Sequence, residues 1–157
     1  MASIILSISR KALVQEINAC LGVVRYSMGA KPPLESEPSR KKGPGKFTVS
    51  DCSGFVRWLL WRASGGTVKL PMGSWQQRKW FQDRRFMEIP YLDCSKKDGR
   101  LRIAFFNPTK NRAGHAWLCV SGMTIECYGC YGVGRRSWDK AVLKSQVQYC
   151  FELTPPI

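Results

Sequence analysis

The segment of residues 52–63, which reads CSGFVRWLLWRA, limits the possible folds of this chain more than any other part. It is apolar on nearly every side of a helix, whereas a surface helix carries a single apolar stripe. Asp51 before it can cap a helix N-terminus, and the Ser-Gly-Gly of residues 64–66 can end the helix. The sequence therefore predicts a buried central helix that begins at about Cys52.

The last third of the chain has the period of β-strands. Residues 103–106, 116–120, 124–128 and 146–153 read as strands, and in the last of these apolar residues alternate with polar ones. Helices followed by a run of antiparallel strands are typical of an α+β fold.

Two further helices and one long loop are predicted before the strands. Residues 9–21 have apolar residues at helical spacing. Residues 75–86 predict a basic amphipathic helix with Trp75, Lys79 and Arg85 exposed or facing a groove. Proline, glycine and charged residues at about 30–48 show no periodicity and predict a long surface loop. With 157 residues, 44% of them hydrophobic, we expect residues 1–157 to form a single domain.

The charge balance and the N-terminus constrain partners and location. Lys and Arg total 25 against 11 Asp and Glu, a net charge of +14 that favours polyanionic partners such as nucleic acid, anionic lipid or acidic wall polymers. The apolar run after Met1 is short, interrupted by serines and preceded by no positive charge, unlike a Sec signal peptide. No segment has the roughly 18 to 20 apolar residues that a membrane-spanning helix needs. We therefore expect no membrane-spanning segment and no Sec export.

A cysteine and a histidine form the simplest reactive pair in this chain. His115 is the only histidine, so it is the natural general base near neutral pH. Among seven cysteines, Cys52 fits an activated nucleophile best, because backbone N–H groups at the start of a helix stabilise a thiolate. The odd number of cysteines permits a free nucleophile beside up to three disulfides.

The predicted hairpin after His115 adds a carboxylate to this pair. Residues 121–123 are the only turn-like stretch between its two strands. A two-residue loop there sets Trp117 opposite Glu126, so Glu126 is a diagonal neighbour of His115 on the same face, at roughly 7 to 8 Å between backbones. A carboxylate in that position can accept the second imidazole N–H and orient the ring, as in a catalytic triad.

Five short motifs are spread over the chain, and both their residues and their order are informative. They are LGVVRY at 21–26, DCSGF at 51–55, IAFF at 103–106, Gly-His at 114–115 and Ile-Glu at 125–126. Together they resemble the NlpC-type papain-like cysteine peptidases of bacterial cell walls, over about residues 10–138. The resemblance implies a papain-like fold, with the nucleophile at the start of a buried helix that packs on a C-terminal antiparallel sheet.

The resemblance also implies a reaction that needs no metal and no cofactor, the hydrolysis of an amide bond in the peptidoglycan stem peptide. The bond from D-glutamate to the diamino acid is one such bond. Cys52 would attack the carbonyl, His115 would transfer the proton and Glu126 would orient His115. Three more residues match positions that bind the oxyanion or line the substrate subsites, namely Tyr26, Asp51 and Ser53.

The chain departs from the family pattern in two places. The third catalytic position is most often histidine in the family, whereas here it is Glu126. The loop between Tyr26 and Cys52 is also longer than usual, and it could cover the groove and restrict substrates.

A small basic chain of this type resembles the amidase effectors of type VI secretion, toxins that act in the periplasm or cell wall of a rival bacterium. Such an effector would leave its cell without a Sec signal and would have a cognate immunity protein. Phage lysins and tail-associated peptidases are the nearest alternatives.

Three other readings stay open at this level. Cys127 and Cys130, with His115 or Cys119, have spacing that suits half of a zinc site. The net charge and interleaved aromatics could serve a nucleic-acid-binding module, although no recognition motif supports it; these aromatics are Trp75, Trp80, Phe81 and Tyr131. A papain-like site can also catalyse acyl transfer to an acceptor other than water when water is excluded.

Overall fold

The computed structural model describes residues 4–138 and 146–157. Within these ranges the elements follow the chain in this order: α1 (Arg10–Cys20), β1 (Arg25–Tyr26), β2 (Glu37–Pro38), β3 (Lys46–Phe47), β4 (Val49–Ser50), α2 (Cys52–Ala63), α3 (Ser74–Asp83), β5 (Met87–Glu88), a 3-10 helix (Tyr91–Ser95), β6 (Arg100–Phe106), β7 (His115–Val120), β8 (Met123–Tyr128), β9 (Gly132–Gly134) and β10 (Tyr149–Pro156). The main sheet is antiparallel, with strand order β5-β10-β6-β7-β8-β9. The predicted α+β class is confirmed.

The central helix α2 begins at Cys52, as its sequence predicts. The Asp51 side chain accepts a hydrogen bond from the Gly54 N–H at 2.7 Å and so caps the first turn. The helix packs against α1, β7 and β8, and most of its side chains are buried. Trp58 lies wholly inside and donates its indole N–H to the Ser36 carbonyl at 2.9 Å. No helix in the described part of the chain combines the length and apolar character needed to cross a bilayer.

The first helix matches its prediction, whereas the third is shorter than predicted. In α1, Ser9 caps the N-terminus by accepting from the Ala12 N–H. Helix α3 ends at Asp83 because the chain turns in a Schellman motif, in which the Phe86 N–H bonds to the Phe81 carbonyl at 3.1 Å. Arg85 takes the left-handed position of that motif, with φ 60°, where glycine is usual. Because this position has no glycine, nothing in the sequence indicates that α3 ends at Asp83.

The strand bounds differ from the predicted ranges because both faces of the sheet are partly covered: β6, β7 and β8 begin one to three residues earlier, and β10 runs over Tyr149–Pro156 rather than 146–153. One face packs on the helices, and the other packs on a second cluster that includes Cys94 and Trp138. In β10, Phe151 and its neighbour Cys150 are therefore both buried. Strand β6 even contains an arginine, Arg102, which is only 2% exposed. Such residues break the simple alternation from which strand ends are predicted.

The predicted long surface loop at residues 30–48 is wrong in part. Its strands β2 and β3 form a short parallel pair, and four of its residues are buried: Pro32, Ser36, Phe47 and Thr48. The Phe47 ring packs edge-on against Trp58 at 5.2 Å between centroids. The apolar surface and indole N–H of α2 thus hold this segment against the core, which its composition did not indicate.

Candidate active site

The start of α2 and the β7–β8 hairpin bring Cys52, His115 and Glu126 together. Cys52 is the first residue of its helix and His115 is the first residue of β7. The Cys52 and His115 residues are 7% and 8% exposed, and Glu126 is fully buried. All three predicted catalytic residues therefore belong to one cluster at the edge of the core.

The thiol of Cys52 is surrounded by groups that favour its ionised form. Burial alone would raise the pKa of the Cys52 thiol, but a hydrogen bond to His115, the charge of His115 and the Ala116 N–H outweigh burial and lower it. The sulfur also lies 3.9 Å from the Gly114 carbonyl oxygen. Cys52 thus has the environment of a reactive thiolate rather than of a structural thiol.

The imidazole of His115 is fixed on several sides. Its ring lies between Phe106, at 5.7 Å between centroids, and Trp117, at 5.3 Å. The Nε2 atom is 3.3 Å from Glu126 Oε1, which leaves Nδ1 for Cys52. Burial alone would lower the pKa of His115, but the hydrogen bonds to Cys52 and Glu126 outweigh it and raise the pKa to about 9. The lowered pKa of Cys52 and the raised pKa of His115 both favour a thiolate–imidazolium pair over the neutral pair.

Iodoacetamide is expected to alkylate Cys52 with a pH midpoint below the ordinary thiol pKa of 9.0. The thiolate forms as pH rises through the lowered pKa of Cys52, while His115 stays protonated until pH reaches about 9. Mass spectrometry of the Cys52 peptide after timed alkylation across pH measures the midpoint. In His115→Ala the midpoint should move upward, because burial then acts without the imidazolium. A wild-type midpoint at or above 9.0 would contradict the ion pair.

Glu126 is held in place by an arginine that sequence reasoning missed. Arg136 donates from Nη2 to Glu126 Oε1 at 2.7 Å and from Nε to Oε2 at 3.1 Å. Burial alone would raise the pKa of Glu126, but the hydrogen bonds from His115 and Arg136 lower it. Strand β9 brings Arg136 here by pairing Gly134 with Glu126. No local pattern marks this contact, since it depends on how the chain returns after β8.

The β7–β8 hairpin has the two-residue loop from which the position of Glu126 is predicted. Val120 pairs with Met123, so the loop contains only Ser121 and Gly122. Both loop residues have positive φ, 49° and 79°, as a type I′ turn requires. This parity puts Glu126 on the face of the sheet that carries His115.

Asp51 and Ser53 flank the nucleophile, and a lysine from the 30–48 segment covers them. Lys31 Nζ forms an ion pair with Asp51 and donates to Ser53 Oγ at 2.7 Å. The Asp51 N–H also donates to the Ala30 carbonyl at 2.9 Å. A Cβ on Gly54 would come within 2.8 Å of that carbonyl, so the glycine of the motif lets the segment approach α2. Sequence reasoning did not single out Lys31.

Replacing Lys31 with methionine is expected to make Cys52 harder to ionise. The charge of Asp51 already raises the pKa of the Cys52 thiol, and Lys31 is the cation that offsets this charge. In Lys31→Met we expect the alkylation midpoint of Cys52 to move to higher pH, with a several-fold slower rate at pH 7. Lys79→Met is the matched control, because it breaks an exposed Lys–Asp pair on α3. Equal midpoints in both variants would show that Lys31 has no electrostatic effect on the site.

Tyr26 reaches the same groove from β1. This strand pairs in parallel with β4, which aligns Tyr26 with Ser50 just before the nucleophile. Burial, and next the charge of Cys52, raise the pKa of Tyr26. The Tyr26 hydroxyl donates to the Met28 sulfur at 3.6 Å. The tyrosine therefore faces the groove of about 350 Å³ that His115 also lines.

The cysteines of the zinc hypothesis point to different places. Cys127 is buried and donates its thiol to the Ser50 carbonyl at 3.3 Å, whereas Cys130 is exposed. In the described ranges, no group of three or more His, Cys, Asp or Glu side chains is placed to hold a metal ion. All seven cysteines are free thiols in this structure.

The aromatic residues of the nucleic-acid hypothesis do not share one surface. Phe81 is fully buried among Trp80, Phe86 and other core rings. Trp75 is 47% exposed and Tyr131 is 74% exposed. Bases stack on aromatic faces that are open to solvent, so two of the four aromatics remain available for such contacts.

Comparisons with known proteins bear on the fold. No family model and no curated protein sequence matches this chain. A solved structure from Staphylococcus aureus, described as similar to lipoprotein of the NLP/P60 family, superposes with a TM-score of 0.58 at 12% identity. The match covers 98% of this chain and 45% of the lipoprotein, so the chain spans less than half the length of that protein. Together with the helices and the antiparallel sheet described above, this likeness identifies the fold as that of the NLP/P60 family.

Proposed function

We propose that this protein is a cysteine peptidase that hydrolyses an amide bond in the stem peptide of peptidoglycan. The observation that carries the proposal is the contiguous arrangement of Cys52, whose thiol pKa is lowered, His115, whose pKa is raised, and the buried Glu126. The NLP/P60 fold supports the general class of cell-wall peptidase. The motifs DCSGF and Gly-His support it from the sequence.

The proposed reaction proceeds by acyl transfer to sulfur and then to water. The Cys52 thiolate attacks the scissile carbonyl, and the Cys52 N–H at the helix start and Tyr26 stabilise the oxyanion. His115 gives its proton to the leaving amine, which releases the first product and leaves a thioester on Cys52. His115 then takes a proton from water, whose oxygen attacks the thioester and frees the second product. Glu126 holds His115 in position through both steps.

Asp51 and Ser53 are proposed to line the substrate subsites beside the nucleophile. Their side chains are tied to Lys31 in the free protein, so the polar surface that a peptide meets there includes a lysine ammonium. The 30–48 segment, which contributes Lys31, is proposed to narrow the groove on this side.

The biological setting that we propose is an antibacterial effector of type VI secretion that acts in the periplasm or cell wall of a target bacterium. The net charge of +14 suits a protein that must work on an anionic wall. A phage lysin or tail-associated peptidase is the alternative with the same chemistry. An effector would bind an immunity protein tightly over the active-site groove, and co-expression with the neighbouring gene product tests that partner.

Mass spectrometry of peptidoglycan digested by the purified protein tests the proposed reaction. A hydrolase yields two fragments whose masses sum to the parent plus one water. An acyl transferase instead yields fragments joined to a new amine. Intact muropeptides after prolonged digestion would overturn the proposal.

A further inference from the structure

The groove beside His115 carries positive charge at its rim. Its volume is about 350 Å³. Of the described residues that line it, Arg112 and Arg136 are cationic and none is Asp or Glu. A substrate that enters this groove therefore meets two guanidinium groups next to the reactive pair.

Only one of these two arginines is neutralised. Arg136 donates two hydrogen bonds to Glu126, and the carboxylate neutralises its charge. Arg112 is exposed, and within the described residues its guanidinium has no carboxylate or hydrogen-bond acceptor from the protein. No Asp or Glu is among the described residues that line the groove, so Arg112 is the guanidinium charge that these residues leave uncompensated.

Arg112 is nevertheless held in a defined position. Its guanidinium carbon lies 4.1 Å from the centre of the Phe106 ring, so one face of the cation is stacked. Its backbone forms a tight pair with Thr109, with Thr109 N–H to Arg112 O at 2.7 Å and the reverse bond at 3.3 Å. Stacking uses the face of a guanidinium and leaves the N–H groups at its edge free. Those groups form the fork that binds a carboxylate through two parallel hydrogen bonds.

Phe106 connects this fork to the reactive centre. The Phe106 ring also lies 5.7 Å from the His115 ring, and the two residues pair across β6 and β7. A group bound by Arg112 therefore lies in the same groove as His115, the proposed partner of the nucleophile.

We infer that Arg112 binds a carboxylate of the peptide substrate and so makes the site selective for peptides with a free carboxylate over their carboxamide forms. This inference rests on the proposed peptidase function and adds a substrate feature to it. Losing a charge-assisted hydrogen bond of this kind is expected to lower kcat/KM by about 10- to 100-fold.

Two pairs of synthetic stem peptides test the inference. In one pair the α-carboxyl group of the D-glutamyl residue is either free or amidated, and in the other the terminal carboxyl group of the diamino acid is either free or amidated. The wild-type protein should prefer the free carboxylate in at least one pair by about 10- to 100-fold in kcat/KM. Arg112→Gln should lose this preference while its kcat/KM on the amidated peptide stays within about twofold. Arg112→Lys should retain part of it, because a lysine keeps the charge without the fork.

Arg84→Gln is the matched control, since Arg84 also stacks on an aromatic ring, that of the half-buried Trp80 at 4.2 Å, but lies outside the groove. It should behave as wild type. Equal kcat/KM for both members of each pair in the wild-type protein would overturn the inference, as would an equal loss on both members in Arg112→Gln.

Binding measurements on a variant that cannot cleave peptides test this inference separately from the proposed function. If wild-type protein cleaves none of the four peptides, the peptidase assignment fails, and titration calorimetry on Cys52→Ala then decides the role of Arg112 alone. If Cys52→Ala binds the free carboxylate more tightly than the amide, and the double variant with Cys52→Ala and Arg112→Gln does not, the inference is supported. Equal binding of both members, or no binding, would overturn it.

Discussion

Cys52→Ala and His115→Ala are each expected to abolish the cleavage of purified muropeptides, with a loss of about 10⁴-fold or more. The first variant has no sulfur to form the thioester. The second has no group to protonate the leaving amine or activate water, because His115 is the only histidine of the chain. Chromatography of the digest with mass detection measures the loss.

Both variants should remain folded, so that the loss reports on chemistry. Cys52 and His115 sit at the edge of the core, and alanine removes few buried apolar atoms at either position. Circular dichroism and thermal unfolding verify this. Cys130→Ser, which removes an exposed thiol, is the matched control and should digest muropeptides as wild type does. Wild-type rates in Cys52→Ala or His115→Ala would rule out the mechanism.

Glu126→Gln is expected to lower kcat/KM by about 10- to 100-fold, a smaller loss than that of His115→Ala. Glutamine keeps an oxygen that can accept the Nε2–H of His115 at 3.3 Å, so orientation partly survives. The negative charge is lost, and with it one of the interactions that raise the pKa of His115 to about 9. His115 should then lose its proton at lower pH, so the basic limb of the pH–activity profile should move to lower pH.

The same substitution should also affect stability, because Arg136 loses the carboxylate that it holds through two hydrogen bonds. A loss of about 1 to 3 kcal/mol in the free energy of unfolding is expected when one partner of such a bond is removed. Glu152→Gln is the matched control, since Glu152 pairs with Arg100 and Arg102, which lie toward the end of β6 opposite to the Phe106–His115 pair. It should lower stability without moving the pH profile. A loss of activity in Glu126→Gln as large as in His115→Ala would instead assign Glu126 a different role.

The parts of the fold that the sequence predicts correctly are those with local causes. Helix α2 begins at Cys52 because Asp51 caps it, and it is buried because its apolar residues surround its axis. Its end follows from a run of residues that cannot continue a helix. The end of α3 was predicted too late because Arg85 takes a position that usually requires glycine. That turn is stabilised by Phe86 entering the core, which is a tertiary contact.

The predicted site residues divide in the same way. His115 and Glu126 could be related from sequence, since a two-residue loop sets the side of the sheet on which every residue of a hairpin lies. Cys52 followed from the start of its helix. Lys31 could not be found in this way, because it is separated by 20 residues from Asp51 and lies in a segment that was predicted to be a surface loop.

The sequence by itself thus determined that Cys52 starts a buried helix and that Glu126 shares a sheet face with His115, because helix capping and hairpin parity are set by neighbouring residues. Only the tertiary structure decided which charges surround that triad. Arg136 neutralises Glu126, Lys31 neutralises Asp51, and Arg112 stacks on Phe106 with its charge uncompensated by the described residues. Each of these contacts requires the chain to fold back so that its two partners meet, over 20 residues for Lys31 and Asp51 and over 10 for Arg136 and Glu126. The free energy that positions such a return comes from packing the whole core rather than from any local pattern.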